Sequence, residues 1–336
     1  MLLLIRIMLA VFGGFSILLA GFLENHSPEI APSYHLAFIS TRSGYLDYQL
    51  YRMRADGQIV QQLTYREPDN RTQRSPAWSP DGEWITFTSY GTQTEIYRVR
   101  PDGSDLQPFI SPLQQRFFGS VSQPNWSPDG RKVAFIANDA GSPEIFVLAI
   151  DSNNIQQVTE SIGTILEPRW SPDSQWIAFS SNRTGKTEIY KIRADGSDEK
   201  RLTDSPGWNR YPSWSPDGQW LTFASDRDGA MQIYRMRADG SGVQQLTSGA
   251  ASTLPVWSPD GHLIAYVSEG SGKPEIYTMK PDGSQPRQIT RSTGDNVYPV
   301  WAPPQREERP PIWVPALVGL LILPASLNWR ATFSRS

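Results

Sequence analysis

The sequence predicts an all-β protein, a six-bladed β-propeller. Three observations carry this: a repeated tetrapeptide, strand and turn segments that recur in register with it, and an unequal number of copies at the two ends. The tetrapeptide Trp-Ser-Pro-Asp occurs five times, with its Trp at 78, 126, 170, 214 and 257; a worn sixth copy follows as Trp301-Ala302-Pro303-Pro304. Successive Trp residues lie 48, 44, 44, 43 and 44 positions apart. A period of roughly 40–45 residues, built from short apolar runs and Gly/Pro turns, is the signature of propeller blades. The blades bury one continuous core between them, so the 336-residue length does not demand several domains.

Residues 211–247 serve as the specimen blade. Pro212-Ser213-Trp214 reads as a short inner strand whose proline, lacking an N–H, sits at the strand start. Ser215-Pro216-Asp217-Gly218 is a turn: Pro fixes φ, Asp bonds its own backbone and Gly takes the positive φ. A second strand follows over 220–225, a turn at Asp226-Arg227-Asp228-Gly229, and an alternating third strand over 232–236. Asp239-Gly240-Ser241-Gly242 then forms a hairpin, and 243–247 a short fourth strand.

These segments recur along the chain. The second-strand ring returns as Phe38, Phe87, Phe135, Phe179, Phe223 and Tyr266, and the third-strand ring as Tyr51, Tyr97, Phe146, Tyr190, Tyr234 and Tyr277. The hairpin Asp returns at 56, 102, 151, 195, 239 and 282, followed by Gly except at Ser152. The first repeat opens at His35-Leu36-Ala37-Phe38, already in its second strand, whereas Tyr298-Pro299-Val300-Trp301 is an inner strand with no blade behind it. The C-terminal Trp strand is therefore expected to pair with the three N-terminal strands, closing the ring and removing two exposed sheet edges.

Both ends are apolar. Residues 7–23 are uncharged and follow Arg6, the layout of a secretory signal, either cleaved or retained as an anchor. Residues 312–329 carry no charge, hold Trp313 and Trp329 near their edges, and are followed by Arg330 and Arg335. That pattern suits a transmembrane helix; the alternative is an apolar tail packed on the propeller. The expected organisation is an N-terminal apolar helix over 1–24 (signal peptide or signal-anchor), a linker 25–32, the propeller 33–304, a linker 305–311 and a transmembrane helix 312–329. The propeller is expected on the extracytoplasmic side of the cell membrane, periplasmic or extracellular.

Composition excludes several function classes. A net charge of −3 with no run of more than two Lys/Arg gives no footprint for nucleic acid. The chain has no cysteine, hence no disulfide, thiolate nucleophile or thiolate metal ligand. Its three histidines, at 26, 35 and 262, share no metal-ligand spacing, and no Gly-x-Ser-x-Gly elbow is present. The recurring Asp81, Asp129, Asp173, Asp217 and Asp260 each follow Ser-Pro in a hairpin, where Asp serves turn geometry. The expectation is accordingly no catalytic residue, no metal and no cofactor.

The motifs Pro-x-Trp-Ser-Pro-Asp-Gly, Ile-Ala-Phe-x-Ser, Glu-Ile-Tyr, Asp-Gly-Ser and Leu-Thr, spread over about 33–304, resemble the repeats of TolB-type propellers (WD40-like, PD40). Similar repeats occur in the propellers of prolyl-oligopeptidase-like peptidases and the tricorn protease. The resemblance implies a six-bladed propeller with a binding function. In TolB the propeller follows an α/β domain, is periplasmic and binds a peptidoglycan-associated lipoprotein. This sequence departs from that pattern, with only about ten residues between its first apolar run and its first blade, so the translocation role does not carry over.

Function on a rigid scaffold concentrates in loops, here those joining an outer strand to the next inner strand. Phe117-Phe118 sits in the longest of them, and Ser205-Pro206-Gly207-Trp208-Asn209-Arg210 is another. Candidate partner contacts are Arg116, Phe117, Phe118, Trp208, Arg210 and Tyr211; the other reading of the loop aromatics folds them down onto the blades. The expected partner is an envelope protein or a peptidoglycan-associated one. The alternatives are a carbohydrate or small-ligand receptor using the channel face, and, third, a hydrolase or lyase with acids or histidines clustered at the channel.

Overall fold

The computed structural model describes residues 34–44, 47–65, 71–110, 118–139, 141–160 and 162–304. The chain divides into a compact unit over Met1–Pro304 and a second over Gln305–Ser336, the latter outside the described residues. The apolar segments 1–24 and 312–329 likewise lie outside them. Among the described residues no helix is long and apolar enough to cross a membrane.

The described residues form six four-stranded sheets. The first blade combines β1 (His35–Ser40), β2 (Gln49–Arg54) and β3 (Gln61–Gln62) with the last strand of the chain, β24 (Asn296–Trp301). The second holds β4 (Thr72–Trp78), β5 (Ile85–Tyr90), β6 (Thr94–Val99) and β7 (Gln107–Pro108). The third holds β8 (Val121–Trp126), β9 (Lys132–Asp139), β10 (Ser142–Ala149) and β11 (Ile155–Gln157). In the fourth are β12 (Ile165–Trp170), β13 (Trp176–Ser181), β14 (Glu188–Arg193) and β15 (Lys200–Arg201). The fifth has β16 (Asn209–Trp214), β17 (Trp220–Ser225), β18 (Gln232–Arg237) and β19 (Gln244–Gln245). The sixth has β20 (Ser252–Trp257), β21 (Ile264–Ser268), β22 (Glu275–Met279) and β23 (Arg287–Gln288).

Closure follows the expected route. β24 runs antiparallel to β1, with Leu36 opposite Trp301 and Ser40 opposite Asn296, and the Ala302 N–H donates to the His35 carbonyl at 2.8 Å. The two flanks of the propeller thus start from neighbouring residues. Two boundaries differ from expectation: the specimen inner strand begins at Asn209 rather than Pro212, and its outer strand is the two-residue β19.

The turn chemistry is visible atom by atom. In the Ser-Pro-Asp turns the serine hydroxyl donates to the aspartate (Ser79–Asp81 2.5 Å, Ser127–Asp129 2.6 Å, Ser258–Asp260 2.6 Å; also Ser171–Asp173 and Ser215–Asp217). The same carboxylate accepts the N–H two residues on, as in Glu83 at 2.9 Å and Gln219 at 3.0 Å. These aspartates are consumed by the turns. In the Asp-Gly-Ser hairpins glycine has a second reason beyond its φ of +92° at Gly240: a Cβ there would stand 2.6 Å from the Leu202 carbonyl oxygen of the preceding blade.

The core lies between blades. One cluster joins Ile136, Ile145 and Val158 of the third blade to Ile165, Trp170 and Phe179 of the fourth. Each second-strand ring packs on the third-strand ring directly opposite, at centroid separations from 5.7 Å (Phe179–Tyr190) to 6.3 Å (Phe87–Tyr97). Several repeat Trp stitch neighbours: the Trp170 indole N–H donates to the Asn125 carbonyl, Trp214 to Arg169 and Trp301 to Val256, at 3.1, 3.1 and 3.2 Å, whereas those of Trp78 and Trp257 make no bond among the described residues.

A Thr after the fourth strand ties the outer edge of every blade but the second, where Ile110 stands in its place. Thr203 accepts the Ile189 N–H at 2.8 Å and donates to Glu188, which also accepts from Asn209 Nδ2 at 2.8 Å at the start of the next blade. Thr290, Glu275 and Asn296 repeat the arrangement at the closing blade. The glutamate of Glu-Ile-Tyr therefore joins one blade's outer edge to the next inner strand.

Candidate binding site at the channel mouth

The inner strands β4, β8, β12, β16, β20 and β24 follow one another round a central channel. Each has a Pro two residues before its Trp, and in each the residue before that Pro takes a left-handed backbone: Ser75, Gln123, Glu167, Tyr211, Leu254 and Tyr298, with φ between 51° and 63°. The strand register breaks at these positions, for instance between Arg210 and Ser213 against β17. The missing proline N–H thus falls at a bulge, where no ladder bond is lost. Non-glycine residues held in this region cost of order 1–3 kcal/mol each and persist only when the surroundings over-determine them. The six bulges re-aim the inner strands at the channel.

The channel space, about 540 Å³ including its open mouth, is lined by Ser75, Asn125, Arg169, Tyr211, Leu254 and Tyr298 with the adjoining prolines. Arg169 and Tyr298 come from the fourth and first blades, which stand opposite each other in a six-membered ring. Glu167 is buried and anchors the wall: it accepts the Tyr211 N–H at 2.7 Å, Ser180 Oγ at 2.6 Å and Arg210 Nη2 at 2.9 Å. The Arg210 guanidinium also lies 4.9 Å from the centre of the Tyr211 ring. Burial, reinforced by the Glu167 charge, pushes the Tyr211 phenol up to about 12, so it remains a donor at neutral pH. Burial lowers the Arg169 pKa, opposed by Glu167. Nearer the rim, the Arg74 guanidinium stands 5.2 Å and 6.0 Å from the Tyr48 and Tyr90 ring centres.

Arg116 and Phe117 lie outside the described residues. Phe118 is buried, its ring 4.8 Å from Phe146 and 6.1 Å from Phe135, so it follows the course in which a loop aromatic folds onto its blade. Trp208 does not: its side of the loop is pinned by its N–H donating to Asp226 Oδ1 at 2.6 Å, and the residue is 55% exposed. Arg210 and Tyr211 come together on the channel wall, joined through Glu167. Asp226 and Asp228 are engaged locally, Asp228 accepting from Tyr234 Oη at 2.5 Å. Among the described residues no group of three or more His, Cys, Asp or Glu is placed to hold a metal ion.

Asn125, Glu167, Arg169 and Tyr298 were not singled out from the sequence. A signal for them exists: they occupy the two positions flanking the motif proline, which vary from repeat to repeat within an otherwise constant frame.

The model of the TolB beta propeller domain (PD40) matches residues 119–306, more than half of the chain. The chain belongs to this family. A solved TolB from Acinetobacter baumannii superposes on this TolB-like propeller with a TM-score of 0.71 at 24% identity, covering 81% of this chain and 67% of that one, a likeness of fold. The Tol-Pal system protein TolB of Desulfosudis oleivorans is 31% identical over 134 residues, 38% of this chain and 27% of its own length. An uncharacterised protein of Agrobacterium fabrum is 32% identical over 125 residues, 34% of this chain and 40% of its own. The chain thus spans less than half the length of these two relatives.

Proposed function

We propose that this TolB-like propeller is a protein-interaction scaffold of the cell envelope, held at the membrane by its apolar segments 7–23 and 312–329 with the propeller on the extracytoplasmic side. It does no chemistry of its own; it presents one face, the channel mouth with Trp208, Arg210 and Tyr211, to an envelope or peptidoglycan-associated protein, with Arg116 and Phe117 as further contacts while Phe118 packs into its blade. The observation that carries the reading is the exposed Trp208 on a loop fixed by its own backbone bond to Asp226. A large, pre-positioned aromatic is the kind of side chain that anchors protein interfaces. Kinship with Tol-Pal system proteins supports an envelope partner.

The test is photo-crosslinking in living cells from a probe amino acid at 208, with a second probe at Lys280 on the opposite end of a blade. One discrete partner captured from 208 and absent from 280 is expected; equal, diffuse labelling from both would remove the reading. The second reading, a carbohydrate receptor, draws on the same exposed indole, because aromatic faces stack on sugar rings. Glycan-array binding abolished by Trp208→Ala would favour it.

A further inference from the structure

We propose that the neck of the central channel is a carboxylate-binding site built on Arg169. The proposal goes beyond the scaffold reading and does not rest on it.

Arg169 lines the channel on β12, and its one hydrogen bond among the described residues is from Nη1 to the Pro168 carbonyl at 3.1 Å. No carboxylate of the described residues stands within ion-pair distance of it. The neighbouring acid, Glu167, is already committed to Arg210, Ser180 and the Tyr211 N–H. Two cations and one anion therefore meet at this level, and Arg169 holds the uncompensated charge. The Arg169 side chain is half-buried, and Glu167, its nearest acid, is shared with Arg210; a ligand carboxylate would give the guanidinium the paired partner it lacks.

The surroundings favour an anion. Asn125, one blade away, spends its Oδ1 on the Trp170 N–H at 2.9 Å, which leaves Nδ2 as a donor with no acceptor among the described residues. Tyr298 from the opposite blade and Tyr211 line the same space, and the Tyr298 phenol is close enough to Arg169 to act on it electrostatically. Guanidinium, amide N–H and phenol O–H together make a donor-rich neck, and the planar fork of arginine matches a carboxylate bidentately.

One unpaired positive charge calls for one negative charge. A monocarboxylate meets that condition, whereas a phosphate dianion brings excess charge next to Glu167. The ligand is a carboxylate on a slender stem, either a small free acid or the terminal carboxylate of a peptide segment entering from the mouth.

The test uses the full chain in mild detergent at constant ionic strength, with ligand-observed NMR titration. The probes are acetate, its neutral counterpart acetamide, inorganic phosphate, and a tripeptide with a free or an amidated C-terminus. Acetate is expected to bind and acetamide not. Arg169→Met is expected to weaken acetate by about tenfold or more. Asn125→Asp should do the same while keeping the acceptor for the Trp170 N–H, so it guards against a folding failure in the first variant. Binding of the free-acid tripeptide with loss on amidation assigns the carboxylate to a chain end; acetate binding without tripeptide binding assigns it to a small acid. Either supports the site. No acetate binding to the wild-type chain, binding unchanged in both variants, or phosphate binding more tightly than acetate would overturn it.

Discussion

Trp301→Ala tests ring closure directly. The indole is 5% exposed, packs in the cluster of Leu36, Phe38, Ile276 and Ile289, meets Tyr34 edge-on at 6.3 Å and donates to the Val256 carbonyl at 3.2 Å. Truncating a buried aromatic of this size costs about 3–5 kcal/mol, transfer and cavity together. At roughly 2 °C per kcal/mol for a domain of this length, melting should fall by about 6–10 °C. Trp208→Ala removes the same side chain from a 55% exposed position and should stay within about 0.5 kcal/mol. Differential scanning calorimetry of the two variants and the wild type gives the comparison. Amide exchange adds location, because loss of the closing strand should raise exchange in β1 ahead of β13 or β17. Equal melting temperatures for the two variants, or exchange rising uniformly round the ring, would refute the closure argument.

Thr203→Val should cost about 1–3 kcal/mol, because it strips the hydroxyl that serves both the Ile189 N–H and the buried Glu188 carboxylate, while Thr203→Ser should recover most of the loss; urea denaturation checks both. Alkaline pH should separate the tyrosines: Tyr211, Tyr234 and Tyr266 are all raised to about 12, chiefly by burial. Their folded pKa lies above the unfolded value near 10, so the unfolded chain loses these protons first. Stability is then unaffected by them below about pH 10 and falls as pH rises toward 12. Phenolate absorbance should show a late-titrating class that shrinks in Tyr211→Phe; a single transition near 10 would contradict the burial.

The blades were legible because their turns are local. Ser215-Pro216-Asp217-Gly218 specifies its own geometry within four residues, and the hydroxyl–carboxylate bond confirms how. The start of β16 was less so. Asn209-Arg210-Tyr211 reads as loop, yet Asn209 pairs with Ser225 across a bulge whose left-handed Tyr211 nothing local announces. The site suffered most from distance. Arg210 finds Glu167 one full repeat earlier, and Arg169 faces Tyr298 only because a sixth strand closes the ring. For Phe118 the sequence leaves both courses open, contact or packing, and the ring is claimed by Phe135 and Phe146, a pair assembled by two other strands.

The pairing of β1 with β24 sets a timetable. On the ribosome β1 emerges some 260 residues before its partner, which at 5–20 residues per second is a wait of roughly 13–50 s. Throughout that interval the first blade has three strands and an unpaired edge at His35–Ser40, rich in apolar residues. The later blades can zip up one after another while the first cannot finish. Nascent chains stopped anywhere before Asn296 would all share one exposed template, so protection of that edge until β24 arrives is a demand the fold places on its own synthesis.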